Sequence, residues 1–115
     1  MTHPTRGLDD VVHQRHRLGI LTIAAEARRV EFSYLRESLE LTAGNLSRHI
    51  AVLAEAGLID VEKGYASSRP RTWVRITPTG RKELAAEMTA LKALVRRHES
   101  ATRTRANPAS RPVQT

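Results

Sequence analysis

Apolar side chains recur every three or four residues as far as Leu53, every second residue between Ile59 and Ile76, and every three or four again from Leu84 to Val95. This single excursion from the helical period to the strand period and back places one short hairpin between helices. The first helix is expected over Leu8 to Ala27. Leu8, Val11, Leu18, Leu21 and Ala25 share a stripe, Val12, Ile20, Ile23 and Ala27 lie beside it, and Asp9 and Asp10 suit the first turn. Gly19 costs this helix up to ~1 kcal/mol relative to alanine, which points to close packing against another element. Arg29–Val30–Glu31 reads as a short connector able to form one β-bridge, and Phe32 to Leu39 as a second helix with Phe32, Leu35 and Leu39 on one face.

The third helix has the clearest boundaries. Thr42 can accept a hydrogen bond from a free N–H of the first turn, Leu46, Ile50 and Leu53 face inward, and Gly57 fits a left-handed C-terminal position before apolar Leu58. Gly44, Asn45, Ser47, Arg48 and His49 are left facing out. In the next segment Ile59 and Val61, then Val74 and Ile76, alternate with polar residues, and Lys63 to Arg71 reads as a long Gly-, Ser- and Pro-containing tip. Thr77–Pro78–Thr79–Gly80 opens a final helix with Thr77 as N-cap and Pro78 where its missing N–H costs nothing. Leu84, Met88, Leu91 and Val95 form a seam like that of a coiled coil, and the helix should fade near His98. Residues 1–7 read as a loose arm and 99–115 as a disordered basic tail. One domain, 8–98, lies between them, with about 78–98 as its dimerisation helix.

Charge gives the polar positions a meaning. The chain of 115 residues has a formal charge of +7, and residues 63–82 hold six basic side chains with no acid; a second excess lies in 92–115. Such clustering reads as a polyanion footprint. The third helix has one permanent cation, Arg48, whereas the hairpin carries Lys63, Arg69 and Arg71; on charge alone such a run can equally be a solvated surface. No cysteine is present, which excludes disulfides, thiolate metal sites and a cysteine nucleophile and makes a reducing cytoplasm the natural compartment. The longest apolar stretch, Leu18 to Ala25, is short of the ~20 residues that span a bilayer, so no membrane partner is expected. Neither paired carboxylates nor a Gly-rich phosphate loop is evident, and an enzyme is not expected. His13 and His16 lack a third ligand, so no metal or other cofactor is assigned.

The order helix, helix, capped helix, basic hairpin and helix after Thr-Pro-Thr-Gly is carried by specific residues. Leu41–Thr42–Ala43–Gly44–Asn45–Leu46–Ser47–Arg48–His49–Ile50, then Leu53, Glu55–Ala56–Gly57–Leu58–Ile59, Arg69–Pro70–Arg71–Thr72–Trp73 and Ile76–Thr77–Pro78–Thr79–Gly80 resemble the small winged-helix transcriptional regulators of the MarR/ArsR-like type, over about residues 10–97. The fold class implied is mainly α with a small β-hairpin: a winged helix-turn-helix with a three-helix core, a two-stranded wing and an extra C-terminal helix.

The resemblance implies a sequence-specific regulator of transcription. The third helix enters the major groove of double-stranded DNA through Thr42, Gly44, Asn45, Ser47, Arg48 and His49, and the wing touches phosphate or the minor groove through Lys63, Arg69 and Arg71. His49 can contact DNA or sit as a surface histidine capped by its own helix. Because three helices and the hairpin already fill the core, part of the seam Leu84, Met88, Leu91 and Val95 is expected to pair with a second copy, giving a homodimer on an inverted repeat. A small-molecule effector stays open, and the protein is placed in the cytoplasm, at the nucleoid when bound to DNA. The alternative is a winged helix used as a protein-interaction module, disfavoured by the basic wing.

Overall fold

The computed structural model describes residues 3–106. A 3-10 turn, Pro4–Gly7, precedes helices α1 (Asp10–His13) and α2 (Arg15–Ala25), strand β1 (Val30–Glu31), helices α3 (Phe32–Leu39) and α4 (Ala43–Glu55), strands β2 (Ile59–Ala66) and β3 (Arg69–Ile76), and helix α5 (Pro78–Ala106). The strands form one antiparallel sheet in the order β1-β3-β2. β1 pairs Val30 with Val74 and Glu31 with Trp73, so the expected bridge is the third strand of the sheet.

The core lies where α2, α3 and α4 meet the inner face of the sheet. Ile20, Leu21, Ala24, Leu35, Leu46, Leu53 and Val74 are fully buried, with Ile50, Leu58, Ile59, Ile76 and Leu84 around them. Each large side chain of this set contributes roughly 1.5–3 kcal/mol relative to exposure. Gly19 faces Leu39 of α3; a Cβ there would lie 2.8 Å from a Leu39 methyl, the close approach that its place in a helix implied.

The first helix departs from expectation. It is broken at Gln14, whose backbone is extended and whose side-chain oxygen accepts from the N–H groups of His16 and Arg17, while Asp9 caps α1 through Val11 and Val12. Of the expected stripe Leu21 is buried, together with Val12 and Ile20 from beside it and Ala24, while Val11, Leu18 and Ala25 are only partly buried against the core. Residues 3–7 are not a loose arm: the 3-10 turn is capped by His3 and brings Gly7 against Ala90 of α5.

The wing is tighter than its sequence suggested. β2 and β3 pair from Ile59–Ile76 out to Ala66–Arg69, so the turn is only Ser67–Ser68, both at positive φ (52° and 65°) as a type I′ turn requires. The expected long loop is thus mostly strand.

α5 begins where Thr77 N–H donates to Leu58 O at 3.0 Å, Thr77 Oγ1 donates to Gly57 O at 2.7 Å and Gly80 N–H donates to Thr77 Oγ1 at 2.9 Å. Its inward stripe is Gly80, Leu84, Glu87 and Ala90. The helix does not fade at His98 but continues to Ala106, so 99–106 are helical rather than a tail; the remainder of that expectation, 107–115, lies outside the described residues. Twenty-nine residues make a helix about 43 Å long, and the molecule measures 73 × 25 × 23 Å. Among the described residues no helix is long and apolar enough to cross a membrane.

Candidate nucleic-acid interface

α3 and α4 form a helix-turn-helix. α3 ends on Glu40 in the left-handed region (φ 52°), with Leu41 N–H bonded to Arg36 O, a turn that releases Thr42 to start α4. Thr42 Oγ1 accepts the Asn45 N–H at 3.1 Å. The other end closes on Gly57 (φ 77°), where Leu58 N–H reaches Leu53 O, again a left-handed stop followed by an apolar residue. With Leu46, Ile50 and Leu53 buried, Thr42, Gly44, Asn45, Ser47 and Arg48 are exposed as expected. A Cβ at Gly44 would meet no heavy atom within 4 Å, so this corner of α4 is open to a ligand surface.

His49 differs: it is half-buried against α2. Its Nδ1 lies 3.4 Å from Arg17 Nη1, and its ring is 5.4 Å from that of His16. Arg17 is held in turn, because its Nε donates to Val11 O at 2.7 Å and its Nη2 to Asp10 O at 3.2 Å. A guanidinium only donates, so His49 Nδ1 is the acceptor and the ring proton of the neutral imidazole sits on Nε2. Burial, then Arg17, His16 and Arg48, hold the His49 pKa below the ordinary 6.5. Periodicity finds His49 on α4 but could not find Arg17 and His16 beside it, because the turn at Gln14 brings them there.

The hairpin sorts its basic residues by strand parity. Lys63 pairs with Thr72, and Tyr65 with Pro70, on the face continuous with the core; Arg69, Arg71, Trp73 and Arg75 share the opposite face. On that outer face Trp73 is buried under the Arg29 guanidinium, 4.1 Å from the ring centroid, with room made by Gly64, where a Cβ would lie 3.1 Å from the indole. Glu62 accepts from Arg29 at 2.8 Å and from Arg75 at 3.3 Å. The hydrogen bond from Arg29, aided by Arg75, keeps its carboxyl below the usual carboxylate range. Together with Arg28 these three residues line a cleft of about 310 Å³. Arg71 is not at the tip; it lies beside β1, 3.8 Å from Glu31. Arg69, adjoining the Ser67–Ser68 turn, and Lys63 are exposed and form no ion pair among the described residues.

The proposed dimer seam divides. Leu84 is in the protomer's own core and Met88 packs against it, while Leu91 is half-buried and Val95 is 54% exposed. The buried stripe of α5 passes through Leu84, Glu87 and Ala90, and leaves Leu91 and Val95 at its edge. Sequence reasoning missed Glu87, which is 1% exposed with its carboxylate 2.5 Å from His13 Nδ1 and 3.4 Å from the Asp9 N–H. A glutamate inside a helical stripe gives no warning of burial. His13 and His16 therefore serve different neighbours, and among the described residues no group of three or more His, Asp or Glu side chains could hold a metal ion.

Comparison with known proteins agrees with this arrangement. Residues 16–95 match the family model of the winged helix DNA-binding domain. An uncharacterised protein of Methanocaldococcus jannaschii is 38% identical over 65 residues, 56% of this chain and 71% of the relative. Among solved structures, a transcriptional regulator homologue from Pyrococcus horikoshii is 35% identical with a TM-score of 0.75, covering 83% of this chain and 95% of that one. The regulator MosR of M. tuberculosis, solved in complex with DNA, shares the fold at a TM-score of 0.58 and 21% identity, covering 88% and 70% of the two chains. The chain belongs to the winged helix DNA-binding domain family.

Proposed function

We propose that the protein is a homodimeric, sequence-specific transcriptional regulator that binds an inverted repeat, with α4 in the major groove and the wing tip on phosphate or the minor groove. The observation that carries this reading is the exposed, almost uncharged row Thr42, Gly44, Asn45, Ser47 and Arg48 on a helix whose opposite face, Leu46, Ile50 and Leu53, is buried, beside a hairpin whose Lys63 and Arg69 are exposed without an ion pair among the described residues. A row of this kind can read base edges: Arg48 is able to pair with guanine and Asn45 with adenine. Lys63 and Arg69 supply sequence-independent attraction, and Arg71 contributes charge from beside Glu31. The DNA complex of MosR, a protein of the same fold, is consistent with this assignment.

The second copy is assigned to the outer part of α5. Leu91 and Val95 lie beyond the last buried position, Ala90, and Met88 joins them to the core. Two such helices side by side would cover one another's apolar edge and set two α4 helices on one duplex.

The test is a fluorescence titration with genomic fragments at two salt concentrations, alongside light scattering of the free protein. Binding that discriminates between fragments and weakens with salt, by a protein of twice the chain mass, is expected. Sequence-indifferent binding, a monomeric wild type, or a dimer that persists in Leu91→Glu/Val95→Glu would overturn the corresponding half of the proposal.

A further inference from the structure

Four side chains from two helices, His16 and Arg17 of α2 and Arg48 and His49 of α4, gather at the base of the exposed α4 row. The charged and titratable groups acting on His49 are these three neighbours, all cationic or able to become so. α1, packed alongside, turns the carbonyls of Asp10 and Val11 to Arg17, which takes up both, and no charged group of α1 is among those acting on His49. With its Nδ1 accepting from Arg17, His49 cannot gain a second proton without placing an N–H against a guanidinium that is already fixed. The arrangement is satisfied while His49 is neutral and frustrated once it is charged. An anion lying between the two helices would reverse that balance, because it would accept from Arg17 and from a protonated His49 together.

We propose that His16, Arg17 and His49, beside Arg48, form a clamp for a DNA backbone phosphate that closes with uptake of a proton, so that the duplex is held more tightly as pH falls. The proposal rests on the DNA-binding reading above and adds to it two residues of α2 and a proton. In the free protein the lowered His49 pKa reflects burial and three cationic or protonatable neighbours; a phosphate offsets the repulsion and raises it. Binding then strengthens as pH falls through the raised value in the complex and levels off below the value in the free protein, with a slope of about one decade of affinity per pH unit for one proton, at most. Arg17 positions the site: its two carbonyl bonds set where the guanidinium lies before DNA arrives.

A phosphate contact needs no particular sequence, so a mixed-sequence 30-base-pair duplex at low salt is a sufficient probe. The full chain is titrated with it from pH 5.5 to 8.5 at constant ionic strength. In parallel the five histidine ring resonances are followed by NMR with and without duplex. Wild type should bind more tightly at low pH, His49 should titrate at higher pH in the complex, and His49→Gln should flatten the pH dependence. Arg17→Gln should diminish the shift of His49. The proposal is overturned if affinity is independent of pH, if the dependence survives both His16→Gln and His49→Gln, or if only His3, His13 or His98 respond. Failure to bind duplex at any pH would instead remove the DNA-binding reading, and the clamp with it.

Discussion

Gly80→Ala sets two effects of opposite sign against each other. Alanine in a helix is favoured over glycine by up to ~1 kcal/mol. A Cβ at Gly80, however, would lie 2.1 Å from the Leu58 carbonyl oxygen and 2.8 Å from Ile76 Cγ1. A weak C–H···O contact has its carbon and oxygen about 3.3–3.6 Å apart, so the carbonyl must retreat by roughly 1 Å. It is not free to do so, because it accepts the Thr77 N–H that starts α5. Overpacking costs about 1–3 kcal/mol and a weakened hydrogen bond about 1 more. Net destabilisation of about 1–3 kcal/mol is expected after the propensity gain, a substantial fraction of a stability of ~5–15 kcal/mol. Thermal and urea unfolding followed by circular dichroism, at one fixed protein concentration, would show Tm lowered by about 5 °C or more with little change in m. Gly44→Ala is the control: nothing stands in its way, so Tm should rise slightly. It should also weaken DNA binding if α4 meets the duplex at that corner. An unchanged or raised Tm for Gly80→Ala, or a fall for Gly44→Ala, would refute the reasoning.

Removing His13 leaves the buried Glu87 carboxylate with only the Asp9 N–H, and His13→Ala should cost about 2 kcal/mol, less than for a fully buried pair because the imidazole is half exposed; an unaltered unfolding midpoint at neutral pH would show that Glu87 is satisfied otherwise. The Arg29–Glu62–Arg75 group depends on a carboxyl whose pKa is lowered from 4.5, so its contribution is present above that value and is lost as pH falls through the lower folded value. Because Trp73 is the single tryptophan and lies under Arg29, its emission should change at pH below 4.5 before helix content does, and Glu62→Gln should abolish that step. Arg69→Ala should weaken duplex binding and reduce the slope of log affinity on log salt by about 1, whereas Arg71→Ala, at the Glu31 side, should have the smaller effect; the opposite order would move the contact from the tip to the base of the wing.

What could be read in the sequence was what is set locally. α3 matched its expected span, and α4 followed Thr42 and stopped at Gly57, because capping and left-handed stops are written in adjacent residues. The TPTG start of α5 was legible for the same reason, though not the collision that makes Gly80 necessary, which depends on Leu58 arriving from elsewhere. The wing was misjudged because Ser67–Ser68 lacks the glycine or asparagine that usually marks a tight turn, and polar Lys63 and Thr72 face solvent along strands that reach beyond the core. The break at Gln14 was hidden by a capping role that glutamine rarely advertises. Of the interface residues, the exposed row of α4 followed from periodicity; the setting of His49, the tie of Arg71 to Glu31 and the division of the α5 seam are all tertiary, fixed by the angles at which elements cross.

The short helix α1 is gripped from two sides through its peptide groups, in addition to the hold that Glu87 has on the His13 side chain. Glu87 on α5 takes the Asp9 backbone N–H, and Arg17 takes the Asp10 and Val11 carbonyls on the way to His49 of α4. At these points what matters is where the peptide groups fall, not what they carry. Substitutions at Asp10 should pass almost unnoticed, but inserting or deleting one residue between Asp9 and Gln14 would turn the carbonyls away from Arg17 and uncouple α5 from α4. Beside the side chains of Asp9, Val12 and His13, the length of this segment is itself a structural quantity.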